Sequence, residues 1–230
     1  MFESITTGPL FDGALVTLQL TVLGGLLGTA LAVASGLATF SSWAALRGAV
    51  RAYVELFRGT SAIVQLFWAF FGLPLLAPVL PEFIPERLVR WTPVETGIIV
   101  LGLNMGAYGS EVVRSGIQAI GQGQREAAVA LSLTPYQRMR YVIFPQAVLV
   151  MLPPYGNLLI ELLKGTALVS TATASELVFE ASKLRVTGTG PLPLYSSLLF
   201  IYFGIAVVIT ALVRSLEWYF SRGLDQGRGA

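Results

Sequence analysis

Glu126, Ala127 and Ala128 offer the clearest chemistry in this chain, and it is docking chemistry rather than bond-making. They lie in a polar, helix-forming island at 124–145 that also holds Arg125, Arg138 and Arg140 and interrupts two strongly apolar stretches. A second set, Asn157, Glu161 and Lys164, is spaced i, i+4, i+7 and so shares one helix face. Ionisable groups at membrane depth are costly and usually face a cavity or a partner rather than lipid. This face is either a polar lining for a zwitterionic solute or a Glu161–Lys164 pair near the membrane surface. Asn104 is a further lining candidate, with an interhelical hydrogen bond as the alternative. Covalent chemistry has little to work with. With no Cys and no His, thiol nucleophiles, disulfides, zinc sites and histidine relays are excluded, and neither metal nor cofactor is expected. No Gly-x4-Gly-Lys-Ser/Thr phosphate loop occurs, so an ATP-driven process would need its ATPase on another chain.

The elements that must position these groups are membrane helices. Hydrophobic residues make up 54% of the chain and charged ones 12%, which places it among polytopic membrane proteins. The net charge of +2 is small, and no basic patch interleaved with aromatics points to nucleic acid. The expected fold is all-α, a single domain over 1–230 with about five spans at 13–40, 60–80, 93–113, 141–163 and 194–213 and a surface loop at 116–144. The Pro153–Pro154 pair is expected to bend or break the fourth span. Residues 166–179, rich in Ser and Thr, are expected to be partly buried or re-entrant. Glu3 and Asp12 near the start, and the length of the first apolar run, argue against a cleaved signal.

Charge placement orients the chain. One side takes Arg47, Arg51, Arg58, Arg114, Arg125, Arg138, Arg140, Arg214, Arg222 and Arg228, ten of the fifteen basic residues. The other takes Arg87, Arg90, Lys164, Lys183 and Arg185. The bias puts the N-terminus outside, the C-terminus inside and the island in the cytoplasm. Within the island, Gln124 to Leu133 are good helix formers, with Glu126 in a first turn. Thr134, Pro135 and Gln137 form a capping-box start, and a second helix leads Tyr136, Met139 and Ile143 towards the membrane until Pro145. Small alanines beside cationic side chains suit insertion into a groove of another protein; an amphipathic helix on membrane lipid is the alternative. Glu55–Arg58 and Glu111–Arg114, each i, i+3, read as interfacial ion pairs. Gly24/Gly28 and Gly102/Gly106 form GxxxG steps for close helix packing.

Glu126-Ala127-Ala128, then Ser132, then Pro145 resembles the EAA loop of permease subunits of ATP-binding-cassette importers. That pattern reads Glu-Ala-Ala, three residues, Gly, nine residues, Ile-any-Leu-Pro. Here Ser132 stands for the Gly, and Val142 and Phe144 for the Ile and Leu. Tyr53 to Thr60, Val64-Gln65-Leu66-Phe67, Phe71-Gly72-Leu73-Pro74, Leu103 to Tyr108 and Leu152 to Asn157 are similar to the polar amino-acid branch, histidine and glutamine permeases included. The resemblance runs from about Thr17 to Glu217. It implies a multi-pass subunit of the bacterial inner membrane that binds no ATP itself. It also implies three partners: a second permease copy or relative, a cytoplasmic ATP-binding subunit, and an extracytoplasmic solute-binding protein. Glu126, Ala127 and Ala128 would enter the ATPase groove, Ser132 would form the corner after them, and docking geometry is expected to differ there.

Three functions compete. The first is the transmembrane subunit of an ATP-driven importer for a polar amino acid or related compatible solute. A stand-alone secondary transporter is disfavoured by the odd span count and the lack of a detectable inverted repeat. A scaffold or sensor anchor would be expected to carry a soluble domain. At Lys164-Gly165-Thr166-Ala167 the family more often has Lys-Asp-Thr-Ser. The missing carboxylate and hydroxyl fit an amino-acid-derived osmolyte such as ectoine.

Overall fold

The computed structural model describes residues 8–76 and 91–225, and every regular element among them is helical. Pro9 sits at the start of α1 (Pro9–Ala38), where a missing N–H removes no helical bond. A polar turn leads to α2 (Ala44–Gly59), strongly amphipathic, and Thr60 and Ser61 are extended at ψ 152° and 137°. That break turns α3 (Ala62–Leu76) by 105° from α2. α4 (Pro93–Gln118) starts at a full capping box: Glu95 N–H donates to Thr92 Oγ1 at 3.2 Å and Thr92 N–H to Glu95 Oε2 at 2.7 Å. α5 (Gln122–Ala130) is the short helix of the island. After a turn at Pro135–Gln137 the chain runs into α6 (Phe144–Gly165), a 3-10 segment Thr166–Ala172, α7 (Leu177–Val186) and the long α8 (Pro191–Asp225).

Two wide turns mark the helices that contain early prolines. Residues Trp68–Gly72 and Arg138–Ile143 are π-helical, and Leu73 and Phe144 N–H bond back to Trp68 and Met139, five residues earlier. In both cases the next residue is proline, Pro74 or Pro145. A proline ring clashes with the carbonyl four residues before it, and widening the turn moves that carbonyl aside. Pro145 therefore does not end the helix as expected. Pro135–Ala172 runs as one helical rod of 38 residues. Pro153 and Pro154 lie inside α6 and do not break it either. Neighbouring helices support such a stretch from outside, the usual condition for proline within a membrane helix.

Close approach through glycine assembles the bundle. α1 and α4 run parallel, with Gly28 against Met105 and the Gly102 carbonyl, Gly36 against Val113, Gly102 against Leu27 and Gly106 against Leu31. The two GxxxG steps thus serve packing. α6 runs antiparallel to them, with Gly116 on Met151 at one end and Gly97 on Val169 at the other. α8 crosses α6 where Gly156 meets Val213. Leu20, Leu66, Leu101, Met105, Leu162 and Val169 fill the centre. The far side of α8 leaves Leu199, Phe200, Phe203, Val207 and Leu212 exposed, an apolar face suited to hydrocarbon.

The expected spans shift accordingly. Span one is α1, starting earlier than 13; span five is α8, longer at 35 residues. The second span at 60–80 is only part of its element, since α2 precedes it across the bend. Its residues 77–80 lie outside the described residues, as do Arg87, Arg90, Arg228 and the side chain of Arg222. Among the described residues three helices are long and apolar enough to cross a membrane, and a fourth if α2 and α3 form one broken span. α4, with 26 residues, is less apolar because it sits at the centre of the bundle, where small and polar residues pack against helices instead of lipid. Residues 166–179 are a short 3-10 segment and the start of α7, with no sixth span, as expected.

Candidate functional site

The island folds as its sequence suggests, with one informative detail at its corner. α5 ends in a Schellman motif: Ser132 N–H donates to the Val129 carbonyl at 2.8 Å and Leu133 N–H to the Ala128 carbonyl at 3.1 Å. Ser132 has φ +55°, the left-handed conformation that glycine adopts freely and L-residues adopt at a cost of about 1 kcal/mol or more. The corner where a glycine is usual in the resembled pattern thus keeps a glycine's backbone geometry, and the substitution is borne as strain. Ser132→Gly is expected to raise the thermal midpoint of the detergent-solubilised chain by roughly 1–3 °C, the gain being offset in part by glycine's freedom when unfolded. Thr134 then caps the following turn, accepting from Gln137 N–H at 3.3 Å while Thr134 N–H donates to Gln137 Oε1 at 2.9 Å.

The two faces of α5 differ. Arg125 donates to the Ile117 carbonyl at 2.8 Å, satisfying the end of α4, and Ala128 is buried at 2% exposure. Those residues form the inner seam, and Ala128 faces this chain rather than a partner. Glu126 and Ala127 are exposed, and Gln122 Nε2 donates to Glu126 Oε1 at 2.7 Å, leaving the second carboxylate oxygen without a hydrogen-bond partner among the described residues. Beside them a cavity of about 660 Å³ is lined by Gln118, Gln122, Arg125, Glu126, Val129 and Arg138. Glu111 and Arg114, one helix away, form the expected ion pair at 2.6 Å. The second expected pair does not form, and Arg58 stands over the Tyr108 ring at 5.5 Å instead.

Along the same rod, α6 lines a cavity of about 300 Å³ with Glu161, Lys164 and Gly165, faced by Asn104 and Tyr108 of α4 and Ala62 of α3. Glu161 and Lys164 are exposed there and make no ion pair with each other within 4 Å. Asn157 is not part of it. It lines a separate groove of about 270 Å³ with Thr210, Arg214 and Glu217 of α8, because α6 is sandwiched there and presents its polar stripe to two neighbours at two depths. Asn104, read from the sequence as either a lining residue or an interhelical hydrogen-bond donor, borders the cavity and donates to Gln65 Oε1 at 3.1 Å and the Phe57 carbonyl at 3.3 Å. Gln65 Nε2 in turn donates to the Phe57 carbonyl at 2.9 Å and Thr60 Oγ1 at 2.7 Å, closing the corner where α2 breaks from α3. Sequence reasoning left Gln65 and Tyr108 without roles, though a lone amide on an otherwise apolar helix was signal enough.

One buried carboxylate escaped notice altogether. Glu176 caps α7, with no exposed surface. Burial pushes its carboxyl above the usual carboxylate range, opposed by the N–H groups of Val178 and Phe179 and the hydroxyls of Tyr202 and Thr17. Among the described residues no cluster of His, Cys, Asp and Glu could hold a metal ion.

Comparison with known proteins addresses the family and the fold. Residues 15–222 match the family described as binding-protein-dependent transport system inner membrane component. A probable amino-acid ABC transporter permease protein of Sinorhizobium fredii, y4tF, is 40% identical over 91% of this chain and 86% of its own length. The glutamine transport system permease protein GlnP of Escherichia coli is 32% identical over 90% of this chain and 91% of its own. Among solved structures, an amino acid ABC transporter crystallised with histidines superposes with a TM-score of 0.81 at 31% identity, covering 95% of this chain and 98% of that one.

Proposed function

The chain belongs to the family of binding-protein-dependent transport system inner membrane components, and on that footing we propose that it forms half of the translocation pathway of an ATP-driven importer for a polar amino acid or a related compatible solute. The observation that carries this is the continuous rod Pro135–Ala172. One end is fused to a rigid corner presenting Glu126 and Ala127, and the other carries Glu161 and Lys164 into a cavity.

In this reading Glu126 and Ala127 enter a groove on a cytoplasmic ATPase, with Arg125 and Ala128 buttressing the helix from behind. Closure of two ATPases draws two such corners together, in this chain and in a second permease subunit. Each rod then tilts as a rigid body and moves its cavity wall. Glu161 and Lys164 offer opposite charges to the ammonium and carboxylate of a zwitterion, and Asn104, already oriented by Gln65, offers a carbonyl oxygen. No bond is made or broken on this subunit. A binding protein on the side of Thr92 and α7 would deliver solute. The charge bias supports that side as extracytoplasmic: Arg47, Arg51, Arg125, Arg138 and Arg140 gather at the opposite, α5 end. α4 then serves as a span of its own at the pathway's centre. Gly165 leaves the cavity wall without a side chain, which supports a bulkier, ring-containing solute such as ectoine. Binding measurements on the cognate solute-binding protein decide that point.

Co-expression of the chain with its neighbours tests the whole reading. An ATP-binding subunit is expected to co-purify in detergent, at a ratio of about one per permease chain. Solute uptake by the chain alone, driven by an ion gradient and with no ATPase bound, would instead make it a secondary transporter.

A further inference from the structure

Glu176 is fully buried, yet the proposed transport cycle does not use it. Its Oε1 accepts the Phe179 N–H at 2.9 Å, and its Oε2 accepts the Tyr202 hydroxyl of α8 at 3.2 Å and the Thr17 hydroxyl of α1 at 3.5 Å. Thr17 Oγ1 also accepts the Leu177 N–H at 3.2 Å. Tyr202 and Thr166 hydroxyls lie 3.4 Å apart, and Thr166 donates to the Leu163 carbonyl at 2.7 Å. One carboxylate therefore joins α1, α7 and α8 directly, and through Tyr202 it reaches the 3-10 segment. No Lys or Arg pairs with it among the described residues. A buried carboxylate without a cation is an expensive way to fasten helices, and an apolar residue would hold a static junction at lower cost.

The segment it fastens is the direct continuation of the cavity wall. Lys164, Gly165 and Leu168 line the cavity, and Thr166, Val169 and Ala172 between and beyond them are fully buried. Thr173, which ends the segment, is held at φ +62°, a conformation an L-residue keeps only when its surroundings impose it. The Gly13 position of α1 leaves no room for a β-carbon, the nearest atom being Leu177 Cα at 2.9 Å. Helix, segment and loop thus meet with little slack, and hydrogen bonds to one side chain set their relative positions.

We propose that Glu176 is a positioning residue for the cavity: with Tyr202 and Thr17 it latches the Thr166–Ala172 segment, and so the Lys164–Gly165 wall, against α1 and α8. The inference rests on the reading of that cavity as the translocation pathway, but its test does not involve the ATPase.

The chain has no cysteine, so one introduced thiol is its only maleimide target. Ala172→Cys places it behind the latch, and Ala147→Cys places a control in the core at the other end; both positions have no exposed surface. In the detergent-solubilised full-length chain, N-ethylmaleimide modifies both slowly when Glu176 is intact. Glu176→Leu, of similar bulk but without acceptors, is expected to speed modification at Ala172→Cys at least about tenfold and leave Ala147→Cys protected. Tyr202→Phe acts in the same direction to a smaller degree. Glu176→Gln restores protection, because its amide oxygen accepts from Phe179 and its amide nitrogen donates to the two hydroxyls. Unchanged modification at Ala172→Cys in both Glu176→Leu and Tyr202→Phe overturns the proposal. So does equal acceleration at both thiols, which would mark a general loss of structure. Failure of an ATPase to co-purify would count against the transport reading and leave the labelling result standing.

Discussion

Glu126→Lys is expected to abolish recovery of the ATPase with the permease while the permease still inserts and solubilises normally. Glu126 is exposed and its one side-chain hydrogen bond among the described residues is from Gln122, so reversal of its charge disturbs little of this fold. At a docking interface the same change removes an acceptor and places a cation against whatever donor faced it. Losses of about 2–5 kcal/mol are usual for a charged hydrogen-bonded pair, which is roughly 30-fold or more in affinity. Ala127→Asp, on the same outward face, should act alike by bulk and charge. Substitutions on the inner face behave differently: Arg125→Gln frees the Ile117 carbonyl at the end of α4 and lowers stability before it lowers docking. Pull-down from solubilised membranes, quantified against permease recovered, reads both. Normal ATPase recovery with Glu126→Lys would remove α5 as the docking element.

Gly106→Val is expected to disrupt the bundle strongly. A β-carbon there meets Leu31 Cβ and the Tyr53 hydroxyl, each at 2.7 Å. It would force α1 away from α4 and displace a hydroxyl that donates to the Leu103 carbonyl at 2.6 Å. Overpacking of this kind costs about 1–3 kcal/mol and occasionally more, and the displaced hydrogen bond adds about 1 kcal/mol. A fall of roughly 10 °C in thermal midpoint, or failure to accumulate in membranes, is the expected result. Gly48→Ala is the control: nothing lies within 4 Å of its β-carbon site on α2, and better helix propensity should leave the chain unchanged or slightly stabilised. Equal effects of the two substitutions would mean that the α1–α4 contact does not limit stability.

The sequence exposed what local rules control. Thr134 and Gln137 announce their own cap, the alanines and Glu126 their small and charged faces, and the glycine pairs their close approach. These follow from one or two residues acting on their neighbours in the chain. The place of Glu161 and Lys164 beside a cavity was legible only as one of two alternatives, since spacing places side chains on a face without saying what lies opposite. Asn157 shows that limit directly: it shares the stripe but meets α8 instead of α4. The prolines misled because the cost of proline was clear and its remedy was not. A wide turn two residues upstream, or support from adjacent helices, is invisible to a rule written for an isolated helix. Glu176 was missed for a related reason. Its partners Thr17, Phe179 and Tyr202 span nearly the whole chain, and nothing local distinguishes a buried acid from a surface one.

The wide turn at Arg138–Ile143 also alters how substitution data on this subunit should be mapped. Each π-turn inserts one residue into the helical count, so the phase of α6 is offset by about 100° from a wheel drawn through Pro135 and Tyr136. Scanning experiments plotted on one continuous wheel would assign the island's outward face to the wrong side of the rod. Two half-wheels, joined at Phe144, keep α5's neighbours and the cavity wall on their proper azimuths.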